Sequence, residues 1–123
     1  MNGGVLYIDD DEDNIFLLRR LFKRKRPDIQ LHTAMTGHDG VRVAIDDQPA
    51  LILLDNRLPG ASGEQVLRQL AASPATAAIP VVILSGDSNP ATVNQLLAAG
   101  AADFLGKPFE AQQLLAIVGR YLS

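Results

Sequence analysis

Five short apolar runs, separated by segments of helical period, constrain this chain more than any other feature. The runs fall at about 4–8, 29–33, 50–54, 80–84 and 102–105. Between them, Ile15, Leu18, Leu21 and Phe22 recur at the spacing of one helix face, as do Val41, Ala44 and Ile45. Val66, Leu67 and Leu70 predict a third helix, Val93, Leu96 and Leu97 a fourth, and Leu114, Leu115, Val118 and Leu122 a fifth. Strand-like runs alternating with helix-like segments are the pattern of successive βα units around a parallel sheet. The third and fourth runs, Leu51-Ile52-Leu53-Leu54 and Val81-Val82-Ile83-Leu84, are wholly aliphatic. A strand carries no polar residue on either face when both faces are covered, so these two are predicted to be central.

The punctuation agrees with this division. Pro59-Gly60 and Ser62-Gly63 mark a loop after the third strand, and Ser88-Asn89-Pro90 reads as a cap with proline early in the fourth helix. Gly100 stands where a helix stop is needed before the fifth strand. With 123 residues, a single domain over 1–123 is expected, and neither a repeat nor a long linker interrupts it. The predicted architecture is α/β: a (βα)5, flavodoxin-like, doubly wound fold with a five-stranded parallel sheet of order 2-1-3-4-5.

Composition excludes several classes of function. The chain has no cysteine, hence no disulfide frame, thiol chemistry or cysteine-held metal. A net charge of -3 calls for neither nucleic acid nor an anionic membrane. No signal-like start and no apolar run of membrane-spanning length is present, so a soluble, cytoplasmic protein is expected.

In an open parallel sheet the carboxyl ends of the strands share one edge, where ligands bind. Asp9 and Asp10 follow the first run, Asp55 the third, Ser85 the fourth, and Lys107 comes just after the fifth. Three carboxylates, a hydroxyl and an ammonium brought to one edge suit a divalent cation and a phosphoryl group. Mg²⁺ takes oxygen ligands in an octahedron and pairs one or two carboxylates with phosphate and water, which makes Asp10 and Asp55 its natural ligands. Taken singly, each feature has a plainer explanation. The acidic stretch 9–13 favours a helix start, Asp55 precedes a turn, and Ser85-Gly86 and Lys107-Pro108 are ordinary loop pairs.

Together the motifs Tyr7-Ile8-Asp9-Asp10-Asp11, Asp55-Asn56-Arg57-Leu58-Pro59-Gly60, Ser85-Gly86 and Lys107-Pro108-Phe109 resemble those of the receiver domain of bacterial two-component response regulators. The resemblance covers essentially the whole chain. It implies that Asp55 is a phosphoacceptor, with Lys107 and Ser85 contacting the phosphoryl oxygens. It implies Mg²⁺, with Mn²⁺ as a substitute, held by Asp10, Asp55 and the backbone carbonyl of Arg57, with Asp9 acting through water. It further implies a cis peptide before Pro108 and a switch made of Ser85 and Phe104. Phe104 read by itself is equally a core phenylalanine. Arg57 and Asp87 would flank the site, either paired across its mouth or as two solvated charges.

The implied donor is a sensor histidine kinase or a histidine phosphotransfer protein. The implied reader is a downstream protein or domain on the face of the fourth helix, fifth strand and fifth helix. Such a domain catalyses only its own phosphorylation and dephosphorylation and is otherwise no enzyme. Two rivals stand beside it: a Mg²⁺-dependent phosphohydrolase acting on an external substrate, and a pseudo-receiver that binds without phosphate. The first lacks a second aspartate two residues after Asp55, where Arg57 stands, and the second has no need of all five site residues. The basic run Arg19-Arg20 and Lys23-Arg24-Lys25-Arg26 reads as a charged helix end rather than a nucleic-acid surface, and His32 and His38 receive no role. A monomer is expected in the unphosphorylated state.

Overall fold

The computed structural model of the chain describes residues 3–122. Its elements are β1 (Val5–Ile8), α1 (Glu12–Lys25), β2 (Leu31–Ala34), α2 (Gly37–Asp47), β3 (Leu51–Asp55), β4 (Arg57–Leu58), β5 (Ala61–Ser62), α3 (Gly63–Ala72), β6 (Val81–Ser85), α4 (Pro90–Ala98), β7 (Asp103–Gly106) and α5 (Ala111–Tyr121). Five strands form one parallel sheet in the order β2-β1-β3-β6-β7. This is the expected 2-1-3-4-5 order; β4 and β5 are an additional antiparallel hairpin outside it.

Alternation along the strands sorts the sheet's side chains into two cores, because successive residues of a strand point to opposite faces. On one face Tyr7, Leu53 and Leu84 pack with Leu18 and Phe22 of α1 and Leu114 and Val118 of α5. On the other, Ile8, Leu54 and Ile83 pack with Ala44 of α2, Leu67 and Leu70 of α3 and Leu96 of α4. β1, β3 and β6 are buried throughout, as their aliphatic runs require. Full burial of one such leucine stabilises the fold by roughly 1.5–3 kcal/mol, so these three strands form a rigid base beneath the site.

Helix ends follow from local chemistry. Asp11 caps α1 by accepting from the backbone N–H groups of Asp13 and Asn14, and Ser62 with Gln65 forms a capping box on α3. Asn89 caps α4, with Pro90 at its first turn. α4 ends as Ala101 N–H donates to the Leu96 carbonyl and Gly100 N–H to the Leu97 carbonyl, both at 3.1 Å. Gly100 takes a φ of +121° there, a conformation only glycine adopts without strain. Lys23, Arg24 and Lys25 occupy the last turn of α1, where the helix dipole favours cations.

The structure differs from the sequence-based expectation in several places. The second strand lies at Leu31–Ala34 rather than 29–33, although Ile29 is still buried. Ile45 and Leu97, expected on the packed faces of α2 and α4, are 42% and 43% exposed, because each helix lays a narrower stripe on the sheet. In α5 Ile117 is buried beside the expected Leu114 and Val118, and Leu115 is half-buried. His32, for which the sequence suggests no partner, has its Nδ1 3.3 Å from the carboxylate of Asp47.

Candidate functional site

Asp9, Asp10, Asp55, Ser85 and Lys107 meet at the carboxyl edge of the sheet, lining one cleft with Asp11, Asn14, Arg57 and Gly86. The register explains the meeting. β1 and β3 run parallel with Ile8 beside Leu54, so the residues that follow, Asp9 and Asp55, emerge side by side. β6 pairs Ser85 with Gly106 of β7, which places Lys107 one step beyond, and Lys107 N–H donates to the Ser85 carbonyl at 2.7 Å. The Lys107–Pro108 peptide bond is cis. Lys107 Nζ stands 3.5 Å from Asp55 Oδ1.

The three carboxylates differ in their surroundings. Asp9 is fully buried. Its Oδ1 accepts the backbone N–H of Asp11 at 2.9 Å, and its Oδ2 accepts the Asn14 side-chain amide at 3.1 Å and the hydroxyl of Tyr7. Asp10 is exposed at the cleft. Asp55 is 8% exposed and accepts the Arg57 backbone N–H at 3.2 Å. Burial pushes the Asp55 carboxyl above the usual aspartate range; the Arg57 N–H and the Lys107 ammonium oppose that rise, and nearby Asp9 adds to it. Burial, reinforced by the bond to Asp9, drives the Tyr7 phenol well above its ordinary range, so it remains a donor at any physiological pH.

One oxygen from each of Asp9, Asp10 and Asp55 lies within 4.8 Å of the others. A set of hard oxygen donors with no nitrogen or sulfur fits a cation of the Mg²⁺ or Mn²⁺ kind.

Ser85 is buried, and its Oγ accepts the Asp87 backbone N–H at 3.0 Å, with the Asn56 amide at 3.5 Å. Gly63 permits that placement of Asn56: a Cβ at Gly63 would come 2.5 Å from Asn56 Oδ1 and 3.2 Å from its Cα. Phe104 is half-buried on β7, packed against the core beneath α4. Of the two arrangements open for Arg57 and Asp87, the ion pair does not occur among the described residues. Asp87 instead serves the start of α4, its Oδ1 accepting the Asn89 N–H at 3.0 Å and its Oδ2 the Thr92 hydroxyl at 3.2 Å.

Sequence reasoning missed Tyr7, Asn14, Asn56 and Gly63 as parts of this site. A signal existed for Tyr7: residues two apart on a strand share a face, so Tyr7 and Asp9 had to point the same way. None existed for Asn14, which reaches Asp9 from across a turn.

Comparison with known proteins agrees with this arrangement. Residues 5–119 match the sequence model of the response regulator receiver domain. The chain is 37% identical over 118 residues to the response regulator PleD of Caulobacter vibrioides, covering 96% of this chain and 26% of PleD. It thus spans about a quarter of that relative's length. It is 30% identical over 119 residues to protein PilH of Pseudomonas aeruginosa, covering 97% of each. Among solved structures, the receiver domain of the sensor histidine kinase PA1611 from Pseudomonas aeruginosa, with magnesium coordinated in its active-site cleft, superposes with a TM-score of 0.86 over 98% of both chains at 24% identity. The doubly wound sheet, the acidic edge and these matches agree: the chain belongs to the response regulator receiver domain family of two-component signalling.

Proposed function

We propose that Asp55 is the residue that accepts the phosphoryl group. The observation that carries this is its position: a nearly buried carboxylate, 3.5 Å from the Lys107 ammonium and grouped with Asp9 and Asp10. An Asp55 oxygen forms the new bond to phosphorus as the P–N bond of a donor phosphohistidine breaks and the imidazole leaves with the electron pair. The donor is a sensor histidine kinase or a histidine phosphotransfer protein.

Asp10, Asp55 and the Arg57 carbonyl would hold Mg²⁺, or Mn²⁺ in its place, with Asp9 acting through water. When bound, the cation neutralises charge on the phosphoryl oxygens. Lys107 pairs with Asp55 before transfer and afterwards with a phosphoryl oxygen. Ser85 turns its hydroxyl from the Asp87 N–H to another of those oxygens. Phe104 occupies the space that this movement frees, and the α4–β7–α5 face changes its affinity for a downstream protein or domain, a shift between two populations. Catalysis is confined to the chain's own aspartyl phosphate. The magnesium in the cleft of the PA1611 receiver supports the choice of cation. No helix of the described residues is long and apolar enough to cross a membrane, and a cytoplasmic setting without nucleic acid suits this role.

Intact-mass measurement after incubation with acetyl phosphate tests the proposal. One labile phosphoryl group should be gained with Mg²⁺, and none with chelator or in Asp55→Asn. An adduct that persists in Asp55→Asn would remove the assignment.

A further inference from the structure

We infer that Tyr7 and Asn14 are positioning residues that set Asp9 for the divalent cation, an inference that rests on the phosphoacceptor reading. An ionised carboxylate offers about four acceptor positions. Three of those on Asp9 are filled: one by the Asp11 N–H, and two, both on Oδ2, by the Tyr7 hydroxyl and the Asn14 amide. The arrangement fixes the rotation of the carboxylate and leaves a single position open, on a residue with an oxygen within 4.8 Å of Asp10 and Asp55. One open position suits a single metal-bound water and excludes two-oxygen chelation.

Asp9 is 0% exposed, so its oxygens depend on protein donors rather than on bulk water. Tyr7 is itself 2% exposed, so its hydroxyl has little access to bulk water and is committed to Asp9. It approaches along β1, and Asn14 from the first turn of α1, so the strand and the helix both hold the same oxygen. Groups that orient a metal ligand in this way tune its affinity for the metal, and losing one commonly weakens binding by about tenfold or more.

Calorimetric titration with Mg²⁺ alone tests this on the full chain, on Tyr7→Phe and on Asn14→Ala, with thermal midpoints recorded in chelator. Tyr7→Phe keeps the ring and removes only the donor; alanine at position 14 suits a helix, so that variant decides if the first fails to fold. Roughly tenfold weaker binding is expected in Tyr7→Phe and a several-fold loss in Asn14→Ala. A purely structural role would lower the chelator midpoint and leave the dissociation constant within about twofold, the outcome that overturns the inference. Absence of Mg²⁺ binding by the unsubstituted chain would instead overturn the phosphoacceptor reading, and this inference with it.

Discussion

The two ends of the site are built differently. At the end of β1, Asp9 is fully buried and takes three hydrogen bonds, two of them at 2.9 and 3.1 Å. At the end of β6, Ser85 Oγ has one good bond, from the Asp87 N–H at 3.0 Å, and two contacts at 3.4 and 3.5 Å near the limit of hydrogen bonding. The first end is preorganised around a carboxyl group held by three donors. The second holds a neutral hydroxyl loosely enough for a new acceptor to recruit it. Under the proposed function, the part of the cleft that would meet the cation is rigid and the part that would meet the phosphoryl group is adjustable.

Asp10→Ala gives the largest expected effect. It removes a proposed direct ligand next to the rigid end and should weaken Mg²⁺ binding more than tenfold by calorimetry. Asp10 is exposed, so the thermal midpoint in chelator should not fall; a large drop would show that this end is not held by Asp9 and its donors alone.

Asp55→Asn tests the charge between the two ends. The folded state raises the Asp55 pKa, chiefly by burial, so protonated Asp55 contributes stability that is present at low pH and lost as pH rises through the folded value. At neutral pH in chelator the asparagine variant should therefore melt several degrees higher. The gap should close as pH falls through a window just above the usual aspartate range, and a gap independent of pH would contradict the burial argument.

Ser85→Ala should leave the Mg²⁺ dissociation constant unchanged while costing about 1 kcal/mol in denaturant unfolding, chiefly because the Asp87 N–H loses its acceptor, the Asn56 amide contact at 3.5 Å being near the limit. A metal affinity that fell with it would erase the distinction between the two ends. Asp87→Ala should cost least, about 0.5 kcal/mol, by removing the acceptor of the Asn89 N–H and the Thr92 hydroxyl at the start of α4.

Legibility in the sequence tracked the range of the signal. The aliphatic runs of β3 and β6 marked those strands as central, because burial on both faces leaves a continuous pattern, and the order 2-1-3-4-5 followed from the doubly wound fold class that the βα alternation suggested. Asp9, Asp10, Asp55, Ser85 and Lys107 were legible as a group because strand ends of a parallel sheet share an edge. The β4–β5 hairpin was not, since two-residue strands carry no period. The sequence left Asp87 either paired with Arg57 or solvated; its bonds to the start of α4 were not legible, although an aspartate readily bonds the backbone N–H two residues on, here Asn89. The bonds from Tyr7 and Asn14 to Asp9 depend on side-chain direction, which the residue pattern does not specify beyond which face is shared.

Every pairing in the large sheet is parallel, and the shortest, Val82 beside Asp103, joins residues 21 positions apart. No two neighbouring strands are connected by a tight turn, so each must close a long loop before its first ladder bond forms. Such topologies acquire their contacts late and together. The working cleft draws on the ends of β1, β3 and β6 and on the residue after β7. A chain that has lost any one of them keeps no partial version of the cleft, so under the proposed function the capacity to carry phosphate reports that the whole sheet is intact.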